Sequence, residues 1–116
     1  MRVKTGYVRK RKHKKVLNLT KGYRMTKNRL YKVAHEALLH AGQYAFIGRK
    51  LRKRDFKKLW IQRINAAARQ HGLTYSKLIP LLKESKINLN RKILAHFAAK
   101  EPEVFQTIID KVKNQS

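Results

Sequence analysis

The sequence predicts an all-α protein: a long basic N-terminal extension with a long helix, followed by a small orthogonal helical array. Three observations carry this. From position 26 to 71 apolar residues recur at spacings of three and four, and no Pro occurs before Pro80. Residues 1–35 hold 13 Lys or Arg and no Asp or Glu, so the chain opens as a polycation that cannot bury itself. Beyond Gly72, short amphipathic segments follow residues able to start a helix.

The charge also sets the expected domains. The chain carries 30 Lys and Arg against 6 Asp and Glu, a net +24. Residues 1–58 hold 20 basic and 2 acidic residues (net +18), and residues 59–116 hold 10 and 4 (net +6). The expected division is therefore a basic extension over 1–58 and a small helical domain over 59–116, the latter close to the smallest size that stabilises its own core. With no Cys there is no disulfide framework, which suits a reducing compartment. No apolar run approaches the length of a membrane span or a signal sequence, so the expectation is a soluble protein used where it is made.

Taken in order, residues 1–8 lack periodicity and read as an extended tail. A short helix is expected from about Arg9 to Thr20, with Val16, Leu17 and Leu19 as its apolar side and Gly22 as its stop. The long helix is expected from Thr26 through Leu30, Val33, Ala34, Ala37, Leu38, Ala41, Tyr44 and Ala45 to a stop before Gly72. Gly42 and Gly48 each cost about 1 kcal/mol relative to Ala without forbidding continuity. Residues 49–58 (RKLRKRDFKK) place positive charge on nearly every side. Farther on, Phe56, Leu59, Trp60, Ile64 and Ala67 fall within an arc of about 140° and form the expected core face. Arg54, Lys58, Gln62, Asn65 and Arg69 line the opposite, polar side.

Three short helices are expected next. Thr74 or Ser76 can cap the first, which carries Leu78, Ile79, Leu81 and Leu82 and is interrupted by Pro80. Asn88 or Asn90 can cap the second, with Ile93, Leu94, Phe97 and Ala98. Pro102 opens the third, with acidic Glu101 and Glu103 at its start and Lys111 and Lys113 at its end, as the helix dipole favours. Together with the end of the long helix they make a four-helix array.

Catalytic and metal chemistry find little support. His35 and His40 stand five apart, about 140° around a helix, whereas a zinc pair needs a spacing of four. Gly42–Lys50 has the wrong spacing for a phosphate loop and no Ser or Thr after its Lys. Six scattered carboxylates, with no nucleophile beside an acid or base, leave no catalytic constellation. The sequence therefore predicts no enzyme, no catalytic residues, no cofactor, no metal and no small-molecule substrate. A membrane-active helix is disfavoured because residues 49–58 lack a broad apolar face. What remains is Arg and Lys mixed with Tyr7, Tyr23, Tyr31, Tyr44, Trp60 and amides, groups that clamp phosphates, stack on exposed bases and reach base edges. Trp60 and the core face weigh toward packing, and the charge run toward RNA. A regulatory or architectural module binding mRNA or duplex DNA is the competing reading, its duplex-DNA form weakened by the lack of a dimer heptad or a selective reading helix.

RVK at 2–4, RKHKKVL at 11–17, KGY at 21–23, AGQYAF at 41–46, RKRDFKKLWIQRINAAARQHGLTYSKLI at 52–79 and NRKILA at 90–95 together resemble the ribosomal protein L-twenty family of the bacterial and organellar large subunit. The resemblance implies an all-helical protein with a basic extension threaded into large-subunit rRNA, a small C-terminal domain on the rRNA surface, and a role in early subunit assembly. It implies rRNA contacts at Arg2, Lys4, Arg9, Arg11, His13, Lys14, Lys15, Arg49, Arg52, Lys53, Arg54, Arg63, Asn65, Arg69, Ser76 and Lys77, to which the polar stripe adds Lys58. It further implies neighbours of the L-thirteen and L-twenty-one families, and a cytoplasmic ribosome or the stroma or matrix of an organelle that encodes its own ribosomal proteins. Thr5, Lys12, Gly48 and Pro80 depart from the usual pattern.

Overall fold

The computed structural model describes residues 1–115, and among these it contains helices and turns but no strand. The helices are α1 (Gly6–Leu19), α2 (Tyr31–Gln70), α3 (Tyr75–Glu84), α4 (Arg91–Lys100) and α5 (Pro102–Asn114), with a 3-10 turn at Met25–Asn28 between α1 and α2. Two compact units divide between Lys50 and Leu51, inside α2, some residues before the 58/59 charge boundary.

In the first unit α1 begins earlier than the sequence predicts. The tail expected over residues 1–8 shrinks to five residues, because the Thr5 carbonyl accepts from Arg9 N at 3.1 Å and closes a first turn around Gly6. Gly6 sits at the first helical position. The expected stop holds: Gly22 adopts φ +84 just beyond the Thr20 cap. The long helix starts at Tyr31 instead of Thr26. Met25 takes a left-handed φ of 57, and Thr26 O accepts from both Arg29 N (3.2 Å) and Leu30 N (2.9 Å), so this stretch closes as a 3-10 turn before α2 can begin. Burial here is slight. Ala34 and Thr20 are fully buried, Thr20 with its hydroxyl donating to Leu17 O at 3.3 Å. His13 of α1 stacks on Tyr31 of α2 with ring centroids 3.8 Å apart, and Tyr31 stacks in turn on His35 at 5.6 Å.

Neither Gly42 nor Gly48 interrupts α2. It ends where expected, at a left-handed Gly72 (φ +79), with Leu73 N donating back to Ala68 O at 3.0 Å and Gly72 N to Arg69 O at 3.1 Å.

In the second unit Ile64 and Ala68 of α2, Leu78 and Leu82 of α3, Leu94 and Ala95 of α4, and Phe105, Ile109 and Val112 of α5 form one buried core. The four-helix array expected from the periodicity is thus present. The apolar arc along α2 needs correction, however. Ile64 is buried and Trp60 and Ala67 are half-buried, but Phe56 and Leu59 are 44% and 37% exposed. Periodicity reports which side of a helix is apolar; along α2 the residues packed on the core begin at Trp60, and the buried line runs through Ile64 and Ala68.

The caps follow local chemistry. Asn90 Oδ1 accepts from Ile93 N at 2.8 Å and starts α4, and Pro102 starts α5. Pro80 lies within α3 without ending it. Thr74 occupies the cap position of α3, but its side chain makes no capping bond. Lys113 Nζ donates to His71 O at 2.7 Å, tying the end of α5 to the turn after α2.

Candidate nucleic-acid interface

The first unit spans residues 1–50 and carries 15 Lys or Arg against the single acid Glu36, a net +14. Every candidate contact here except His13 is exposed: Arg2 and Lys4 before α1, Arg9, Arg11, Lys14 and Lys15 along it, and Arg49 in α2. A shallow concavity of about 530 Å³ is lined by Val8, Arg11, Lys12, Lys14, Lys15 and Asn18. Arg11 leans over the Tyr7 ring at 5.8 Å, which orients its guanidinium on α1. His13 is half-buried by its stack on Tyr31, so one ring face is already used by the fold. Tyr31 therefore serves packing within the unit, while Tyr44 is 71% exposed beside His40.

In the second unit Arg52, Lys53, Arg54, Lys58, Arg63, Arg69, Ser76 and Lys77 are exposed and Asn65 is half-buried. Among the described residues none of these cations lies within ion-pair distance of a carboxylate, which leaves their charge available to an outside anion. The candidates do not form one surface. Arg54, Lys58 and Arg69 share a side of α2, whereas Arg52 and Arg63 project from the other side at about 100° per residue. One group is drawn together at the junction of α2 and α3. Asn65 Oδ1 accepts from Tyr75 N at 3.1 Å and, more weakly, from Arg69 Nε at 3.5 Å, setting Arg69 beside the turn that presents Ser76 and Lys77. Asn65 thus performs the capping that Thr74 does not.

A second group escapes sequence reasoning. Lys53, Phe56, Lys57 and Trp60 of α2 and Asn90, Arg91 and Lys92 at the start of α4 line a groove of about 540 Å³. Phe56 and Trp60 stack at 6.2 Å with an interplanar angle of 27°, and Arg91 Nε donates to Tyr75 OH at 2.8 Å. The RKRDF and NRK strings carry these residue types, but nothing local to either string brings them together. Among the described residues no group of His, Cys, Asp or Glu is placed to hold a metal ion, and no helix is long and apolar enough to cross a membrane.

An all-helical chain whose candidate Lys and Arg contacts are exposed and make no ion pair among the described residues, interleaved with surface aromatics, falls in the class of basic proteins whose surfaces suit a polyanion. The family model for ribosomal protein L20 matches residues 2–108, and the chain belongs to that family. Among its relatives, the protein named large ribosomal subunit protein bL20 from Lawsonia intracellularis is 53% identical over 115 residues, covering 99% of this chain and 98% of its own. Its namesake from Chloroflexus aurantiacus is 51% identical over 112 residues (97% and 94%), and that from Methylibium petroleiphilum 48% over 114 residues (98% and 97%). Membership places the chain among ribosomal proteins and not among enzymes.

Proposed function

We propose that this chain is a structural constituent of the large ribosomal subunit that binds large-subunit rRNA directly and supports early subunit assembly. The observation that carries the reading is the first unit: net +14 over 50 residues, with only Ala34 and Thr20 fully buried among its described residues. Such a segment gains little from its own interior and much from neutralising phosphates that would otherwise repel one another. Arg2, Lys4, Arg9, Arg11, His13, Lys14, Lys15 and Arg49 are the contacts proposed in that unit. Arg52, Lys53, Arg54, Lys58, Arg63, Asn65, Arg69, Ser76 and Lys77 are those proposed in the second. Its neighbours are other large-subunit proteins, of the L-thirteen and L-twenty-one families on the family resemblance, and its place is the ribosome of the compartment that makes it.

The test is binding of the full chain to large-subunit rRNA fragments in competition with duplex DNA, together with co-sedimentation with large subunits in high salt. Retention on large subunits, with duplex DNA a poor competitor, is expected. Equal competition by duplex DNA and loss from the subunit would overturn the proposal in favour of a general polyanion binder.

A further inference from the structure

Phe56 poses a question the core does not answer. It is 44% exposed, packs outside the buried cluster, and stacks on Trp60, so water faces an aromatic ledge made of two rings. Arg52 lies over the Phe56 ring at 6.0 Å, and four cations line the groove beside that ledge: Lys53 and Lys57 on α2, and Arg91 and Lys92 at the start of α4. No carboxylate lines it. The cations are not all free to wander. Arg91 is held through its Nε by the Tyr75 hydroxyl, and Tyr75 is itself held through its backbone N by Asn65, so the outer guanidinium nitrogens of Arg91 start from a fixed base.

We propose that this groove takes an unpaired RNA nucleotide, its base stacked on the Phe56–Trp60 ledge and its flanking phosphates paired with Lys53, Lys57, Arg91 and Lys92. The inference deepens the rRNA-binding reading and rests on it. Duplex RNA hides its base faces and would present only phosphates here; a single strand offers a π-face as well, and any base can stack on an aromatic ring. A protein partner would leave four unneutralised cations around the rings unless it brought carboxylates, whereas a nucleotide satisfies rings and cations together.

Trp60 is the only tryptophan and reports on the groove directly. The full chain is titrated with a single-stranded RNA of about six nucleotides, an abasic strand of the same length, and a duplex. The base-bearing strand should quench Trp60 emission and bind about tenfold more tightly than the abasic one. Phe56→Leu should lose roughly that tenfold at an unchanged melting temperature, and Phe56→Tyr, which keeps a ring, should retain it. Equal binding and quenching by abasic and base-bearing strands would reduce the groove to a phosphate contact and overturn the proposal. So would a Phe56→Leu variant that binds as the parent does, an outcome that points to a protein partner. Binding to large rRNA fragments is measured alongside. If it persists while the groove results are negative, the groove inference fails alone; if it too is lost, the rRNA-binding reading fails.

Discussion

Asn65→Ala separates a residue's work in the fold from its work on RNA. The side chain lies on the polar side of α2, yet its Oδ1 accepts from Tyr75 N at 3.1 Å and is the side-chain acceptor at the start of α3, where Thr74 supplies only its backbone carbonyl to Lys77 N and Leu78 N. Removing it leaves a half-buried amide without a partner, a loss of the size measured for helix caps, about 1 kcal/mol. For a unit this small that lowers the melting temperature by roughly 4–8 °C. Thr74→Ala should change it by far less. Asn65→Asp keeps an acceptor at the positive end of α3 and should preserve the melting temperature while weakening RNA binding through repulsion. Thermal melts by circular dichroism and filter binding on the same preparations provide the assay. A variant Asn65→Ala that melts within about 1 °C of the parent but loses RNA affinity would refute the capping argument and return Asn65 wholly to the RNA-facing side.

Phe105 is 1% exposed at the centre of the second unit, and Phe105→Ala should cost about 3–5 kcal/mol and abolish its cooperative melt; a retained transition would mean the core repacks. Arg69→Glu, at an exposed position beside Asn65, should weaken rRNA binding by about 1–3 kcal/mol with little effect on the melt, and a collapsed melt would mark it as structural. The affinity of the full chain for rRNA should fall with a log-log salt slope of about 0.7–0.9 per phosphate neutralised, with on the order of ten phosphates engaged; a flat salt profile would exclude phosphate-driven binding. Gly72 holds φ +79 with open space where a Cβ would stand, so Gly72→Ala should lose about 1 kcal/mol to backbone strain alone, seen as a lowered melting temperature.

Features set by neighbours in sequence were legible before the structure. The stop at Gly72, a cap at Asn88 or Asn90 (the structure uses Asn90), the Pro102 start and the acid-to-base polarity of α5 all depend on a few consecutive residues, and the periodicity of Ile64, Leu78, Leu94 and Phe105 tells which sides meet. Features set by distance were not. Asn65 reaches a backbone N–H ten residues away, Arg91 reaches Tyr75 across sixteen, and the groove pairs residues 53–60 with 90–92. Periodicity puts Phe56 on the core face, but helical phase does not say how far along α2 the core extends. Two local features also escaped: α1 starts at Gly6, where the Thr5 carbonyl closes its first turn, and α2 starts only at Tyr31, after the 3-10 turn at Met25–Asn28.

Trp60 both packs against the core and walls the groove. Occupancy and folding of the second unit are therefore linked: a ligand held only by the folded form adds about 2.7 kcal/mol to its stability at a hundredfold excess over Kd. The relation runs both ways. A substitution deep in the core, out of reach of any RNA, raises the apparent Kd once it populates the unfolded unit, so mutations that weaken binding need not map the interface. Melting temperatures taken on the free chain understate the stability it has when occupied, and a screen for RNA contacts that omits them would assign Leu94 or Ile64 a contact neither makes.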